Sequence, residues 1–136
     1  MLRVLIVLPP VLLLAMLPQQ PAAPTTAPVL PPDATTLVNP VKPTTESQVR
    51  AKAIFAMDCA ICHGVKGDGK GDLVADLHLT VKDFADPATL QGKSDGELFY
   101  TIKNGNEKDK MPAEGPRAKD AEIWNLVLLV RSYGSK

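Results

Sequence analysis

Two thiols and one imidazole carry the plainest chemistry in the chain: Cys59-Ala60-Ile61-Cys62-His63. These are its only two cysteines, three positions apart, so whatever the sulfurs do they do together. C-x-x-C-H is the attachment signature of c-type haem. At the end of a helix, thiols at this spacing lie on one side and can form thioethers with the two vinyl groups of one porphyrin. The adjoining imidazole can then turn beneath the ring to bind iron. Other chemistries fit less well. A thioredoxin-like dithiol wants a β-α-β setting that the sequence lacks. Zinc would need two further ligands, with only His78 and carboxylates to supply them. A disulfide closing so short a loop would stabilise little.

The motif must be presented by a helix and followed by a turn, and the flanking residues supply both. Thr45 with Gln48 reads as a capping box, opening a helix through Val49, Ala53, Ile54, Phe55 and Met57 into Cys59. Gly64, Gly67, Gly69 and Gly71 end it in a loop. Asp86-Pro87 reads as a cap with proline at the first helical position, and Ser94 with Glu97 as a second capping box. Leu98 and Ile102 share a face of the helix that follows, which Gly105 stops. The last helix starts at Asp120 and runs through Ile123, Trp124, Val127, Leu128 and Val130 to Arg131. Leu126 to Val130 is apolar on every side, so this helix must be covered on more than one face. No strand alternation appears, which predicts an all-α domain.

Composition divides the chain near residue 44. Of 136 residues, 13 are proline and 9 glycine; ten of the prolines precede Thr44 and every glycine follows it. Residues 1–23, with Arg3 ahead of an apolar run from Val4 to Leu17, read as a signal peptide or an uncleaved anchor. Residues 24–44 read as a Pro/Thr-rich linker without chemistry of its own. The folded part is residues 45–136. With 15 basic and 15 acidic side chains the net charge is zero, leaving no surplus to neutralise phosphates, so nucleic acid is an unlikely partner class. Two cysteines exclude a multi-bridge framework and any four-thiolate metal site. Three phenylalanines, two tyrosines and one tryptophan are few for a core. A large flat cofactor would fill the middle.

Beyond the motif, the segment from about residue 45 to 136 resembles the small mono-haem class I cytochromes c of bacteria. The likeness rests on Cys59-Ala60-Ile61-Cys62-His63-Gly64, then Gly67-Asp68-Gly69-Lys70-Gly71, Gly96-Glu97-Leu98-Phe99, Ile102-Lys103-Asn104-Gly105, Met111-Pro112 and Ile123-Trp124, in the family's order. It implies the class I cytochrome c fold, three main helices plus short helices packed around one covalently attached haem. It further implies that Ala51 and Phe55 of the first helix meet Trp124 and Leu128 of the last. Two positions depart from the family. Many members orient the proximal histidine through a proline carbonyl, whereas no proline lies between His63 and Asp86, so another carbonyl must hold His63. Where relatives often start the last helix with Ser or Thr, this chain has Lys119, and Asp120 is expected to take over the cap.

The resemblance implies haem c bound through Cys59 and Cys62, with His63 as proximal and Met111 as distal iron ligand. A thioether opposite an imidazole favours reduced iron. Pro112 biases Met111 away from helical geometry, as suits a ligand on a loop, and the polar stretch Asn106 to Lys110 is a poor setting for a packing residue. His78 is the competing ligand and reads instead as a surface or haem-edge histidine. The Asp68 to Asp72 stretch lacks the acid pattern of a calcium loop. The implied function is one-electron transfer in a respiratory or periplasmic chain, without an enzyme's substrate site. The expected partners are a donor dehydrogenase or upstream complex and an acceptor oxidase or reductase. The alternatives are a five-coordinate haem enzyme or gas sensor with an open distal site, and a haem-free thiol–disulfide module.

Overall fold

The structure is a computed structural model that describes residues 30–135. The expected signal peptide or anchor, and the first part of the expected linker, lie outside the described residues. Within them every regular element is helical, the one exception being an isolated bridge between Asn106 and Met111. No described helix is long and apolar enough to cross a membrane.

Helix α1, Thr45–Ile54, is capped one residue earlier than the sequence suggests: Thr44 Oγ1 accepts from Ser47 N–H, and Ser47 Oγ accepts from Thr44 N–H. The box expected between Thr45 and Gln48 does not form; the Gln48 amide donates to Asn125 Oδ1 in the last helix, 2.9 Å away, an acceptor it shares with Ser47 Oγ. The helix then widens into a π-helical turn at Phe55–Cys59, where Ala60 N–H donates to Phe55 C=O, five residues back. Helix α2, Ala60–His63, follows directly. One inserted residue rotates everything after it by about 100° around the axis. By ordinary α-helical spacing Ala51, Ile54 and Phe55 share the face turned to the core, whereas Val49 and Met57 stand 62% and 66% exposed.

After the short helix α3, Leu73–Asp76, and a 3₁₀ turn at Pro87–Leu90, helix α4 spans Asp95–Asn104. Its Ser94/Glu97 capping box forms as expected, the Asp86 cap before Pro87 forms too, and Gly105 ends the helix with φ 74°. The Glu97 carboxyl is held below the usual range chiefly by the Ser94 N–H it accepts. Helix α5, Asp120–Tyr133, begins where expected, but Asp120 does not cap it. Asp120 pairs with Lys103 at 2.7 Å, and Glu122 reaches back to accept from Lys119 N–H.

The core is two clusters on the two flanks of α5, as its all-round apolar character requires. On one flank Ala51, Ile54, Phe55 and Ala60 pack with Leu126, Leu129 and Val130. On the other, Phe99 and Ala118 pack with Ile123, Trp124 and Val127. The expected meeting of Ala51 and Phe55 with Trp124 and Leu128 is therefore corrected. Small Ala51 admits the neighbouring row of α5, while Trp124 turns to α4 and stacks on Phe99, centroids 4.0 Å apart at 14°.

The expected linker also needs correction at its C-terminal end. Ala34 is only 1% exposed. It lies so close to Gly96 that a Cβ there would come 2.0 Å from its carbonyl oxygen. Asn39 Nδ2 donates to Trp124 C=O at 3.2 Å, and Val41 packs on the Trp124 cluster. From Ala34 the chain is a strap on α4 and α5: a 3₁₀ turn at Ala34–Thr36, then extended backbone, docked through Ala34, Asn39 and Val41 while Leu37 and Val38 stay exposed.

Candidate functional site

Cys59 closes the π turn, and Cys62 and His63 end α2, so the structure brings the three predicted residues together at one helix end. The glycine loop folds back to satisfy that end. Gly64 N–H donates to Ala60 C=O, Gly69 N–H to His63 C=O at 2.8 Å, and Gly71 N–H to Cys62 C=O at 3.1 Å. This return is why glycine is needed. At Gly69, φ is +71° and a Cβ would meet Val81 C=O at 2.7 Å; at Gly71 a Cβ would meet Ile61 C=O at 2.3 Å. Gly71→Ala should therefore destabilise the domain by about 1–3 kcal/mol and lower the yield of haem-loaded protein. Chemical denaturation of purified material, with pigment per cell, checks both.

His63 is half-buried, and burial lowers its pKa, which keeps the imidazole neutral, the form that binds metal. Its Nδ1 is buried without a hydrogen-bond partner among the described residues. The carbonyl expected to hold the ring is not there. An aromatic ring lies against it instead: Phe84 stacks on His63 with centroids 4.9 Å apart and planes at 17°. Phe84 is placed by its own N–H, which donates to Gly67 C=O at 2.7 Å.

Burial, reinforced by Glu114 and Asp58, pushes the Cys59 thiol up to about 12. A dithiol redox centre relies on a thiolate stabilised near neutral pH, which the burial of Cys59 opposes. The two cysteines are unbridged. Two unbridged thiols beside an imidazole are the set that would attach one porphyrin and bind its iron. Leu73, Val74, Leu79, Val81, Leu98, Ile102 and Met111, in the segments that follow the motif, all remain partly exposed.

Met111 lies on a separate loop that is tightly held. It exchanges both backbone hydrogen bonds with Asn106, at 2.8 and 2.9 Å, while Glu114 and Gly115 N–H donate to Ile102 and Lys103 at the end of α4. Lys110, in the left-handed region at φ 56°, reaches Leu77 C=O with its ammonium at 3.4 Å. His78 is exposed and also left-handed at φ 49°, and none of its contacts ties it to the motif.

Sequence reasoning missed two parts of the site. Phe84 carried no signal, because its partner lies twenty-one positions away. Arg117 was passed over too, although it connects the Met111 loop to the cysteine turn: its Nη2 lies 2.6 Å from buried Glu114 and its Nε 3.9 Å from Asp58. A buried carboxylate needs such a partner, but nothing local in the sequence shows that Glu114 is buried.

The comparisons agree with this geometry. A family model described as cytochrome c oxidase, cbb3-type, subunit III, matches residues 47–130. Among curated proteins, the cbb3-type cytochrome c oxidase subunit FixP of Azorhizobium caulinodans is 33% identical over 90 residues, covering 66% of this chain and 28% of that subunit. The chain thus spans little more than a quarter of that relative's length. Among solved structures, a chain of the Kuenenia stuttgartiensis reducing HAO-like protein complex Kustc0457/Kustc0458 superposes with a TM-score of 0.59 at 26% identity, covering 69% of this chain and 46% of that one. The KustC0563 c-type cytochrome superposes at 0.53, also at 26% identity, covering 61% of this chain and 95% of its own. The fold is the all-α one of the class I cytochromes c, in which a covalently held haem c is the implied group. With residues 47–130 matched on that helical frame, the chain belongs to the family of cbb3-type cytochrome c oxidase subunit III.

Proposed function

We propose that this protein carries one electron at a time between redox partner proteins, through a single haem c attached at Cys59 and Cys62 and bound at iron by His63 and Met111. The observation that carries the reading is the helix end itself: two cysteines and a half-buried histidine held together by the glycine loop. When bound there, the haem supplies the couple between ferric and ferrous iron.

The chain's residues do the rest. His63 offers an uncharged nitrogen donor, and Met111 offers a soft thioether from a loop pinned to Asn106. With both ligands offered by the chain, a bound haem would keep the same two protein donors in either oxidation state. The electron enters from a donor dehydrogenase or upstream complex and leaves to an acceptor oxidase or reductase. The match to an oxidase subunit supports the second of these. The export-like segment at residues 1–23 supports a place in the periplasm, with or without a tether to the inner membrane.

Visible spectra of oxidised and reduced holo-protein, with and without Met111→Ala, test the ligand set. The expected result is loss of the weak sulfur-to-iron band at the red end, together with a fall in reduction potential. An unchanged spectrum removes Met111 from the iron. Ready carbon monoxide binding by the unmutated protein would favour the open-site enzyme or sensor instead.

A further inference from the structure

We infer that Phe84 is the positioning residue for His63: its ring, stacked flat on the imidazole, selects the rotation of the histidine about its Cβ–Cγ bond. This rests on the reading of His63 as an iron ligand.

Three observations meet here. The rings are nearly parallel, 17° apart, with centroids at 4.9 Å, whereas Phe55, the other aromatic neighbour, is tilted by 46° at 6.5 Å. Nδ1, through which a metal-bound histidine is ordinarily oriented, is buried and has no acceptor among the described residues. And Phe84 is itself held. Its backbone donates to Gly67, its side chain packs on the Ala51/Leu126 cluster, and Tyr133, which joins the same cluster, lies on Gly67 and beside Phe55. Gly67 thus receives the Phe84 backbone on one side and the Tyr133 ring on another, so the end of α5 supports the segment that supports the histidine.

Orientation by stacking differs in consequence from orientation by a hydrogen bond. A ring N–H donating to a carbonyl gains electron density and becomes a stronger donor to iron. A stacked ring is turned without that gain. His63 is then the weaker donor of the two cases, which favours ferrous iron and adds to the effect expected of a thioether on the other side.

The test uses full-length holo-protein matured with its haem. In the native protein, magnetic resonance of the ferric state should show histidine ring protons shifted by the iron, and in the ferrous state a cross-relaxation contact between the His63 and Phe84 rings. Phe84→Leu keeps the apolar volume but removes the plane. It should change the pattern of haem-methyl shifts and broaden or split the low-spin electron paramagnetic signal. Phe84→Tyr should restore both. If Phe84→Leu leaves the two patterns as in the native protein, or if the ring-to-ring contact is missing, the inference is overturned. The contact is read without any variant, so a Phe84→Leu chain that fails to mature does not rescue it. Absence of iron-shifted histidine protons in the native protein is a different failure: it removes His63 from the iron and with it the reading beneath.

Discussion

Trp124→Ala should lower the stability of the haem-loaded domain by about 3–5 kcal/mol, the loss typical of deleting a buried aromatic side chain. The indole is nearly enclosed and stacks on Phe99 at 4.0 Å. Beside it stand Ile123 and Val127, which no solvent reaches. The cavity left behind would have walls on three sides: α4 through Phe99, the strap through Val41, and the loop before α5 through Ala118. None can collapse into it easily, because Asn39 holds the strap to the backbone of α5 and Lys103 holds α4 to Asp120. Small domains have only about 5–15 kcal/mol in total, so the variant should unfold at markedly lower denaturant. Trp124→Phe, which keeps a ring against Phe99, should lose much less. Guanidinium titration followed by far-ultraviolet circular dichroism measures both. A loss below about 1 kcal/mol for the alanine variant would mean that this flank of α5 repacks and is no rigid core.

Removing both thiols should have the larger consequence. For Cys59→Ala with Cys62→Ala, intact mass should be that of bare polypeptide, and the visible absorbance should vanish. The helical signal should then melt without a sharp transition. The reasoning is one of surface. Seven apolar side chains in the segments from Leu73 to Met111 remain partly exposed in the protein alone. Full burial of such a side chain is worth about 1.5–3 kcal/mol, so the smaller part still exposed amounts to about 0.5 kcal/mol for each one that a porphyrin would cover. Summed over several of them, this is a sizeable share of the stability of a small domain. The short helices α2 and α3, of four residues each, could not hold themselves. A haem-free double variant that still unfolds cooperatively would show that the two clusters around α5 suffice alone, and that the scarcity of large side chains was misjudged as a deficit.

The parts of this molecule that could be read from one dimension are those whose physics spans a few residues. C-x-x-C-H is legible because thioether and iron bonds require thiols three apart and an adjoining imidazole. Ser94 with Glu97, Asp86 with Pro87, and Gly105 are legible because a cap is a hydrogen bond or a backbone twist closed within one turn. The burial of α5 on two flanks follows from Leu126 to Val130 having no polar side. Where a local signal was misread, a distant partner had intervened. Thr44 and Ser47 make the cap one residue early, with Ser47 and Gln48 both reaching Asn125, and Glu122 makes the next one while Asp120 is drawn to Lys103. Ala51, Ile54 and Phe55 turn inward by ordinary helical spacing while Val49 and Met57 stay exposed, and no periodicity in the sequence records the π turn that follows from Phe55 to Cys59. The strap from Ala34, the Arg117 link to Asp58, and the Phe84 ring on His63 join positions twenty to ninety apart in the chain, and contacts over such separations exist only after the helices have met. Attachment chemistry is thus a property of five consecutive residues, and the aim of the histidine is a property of the fold.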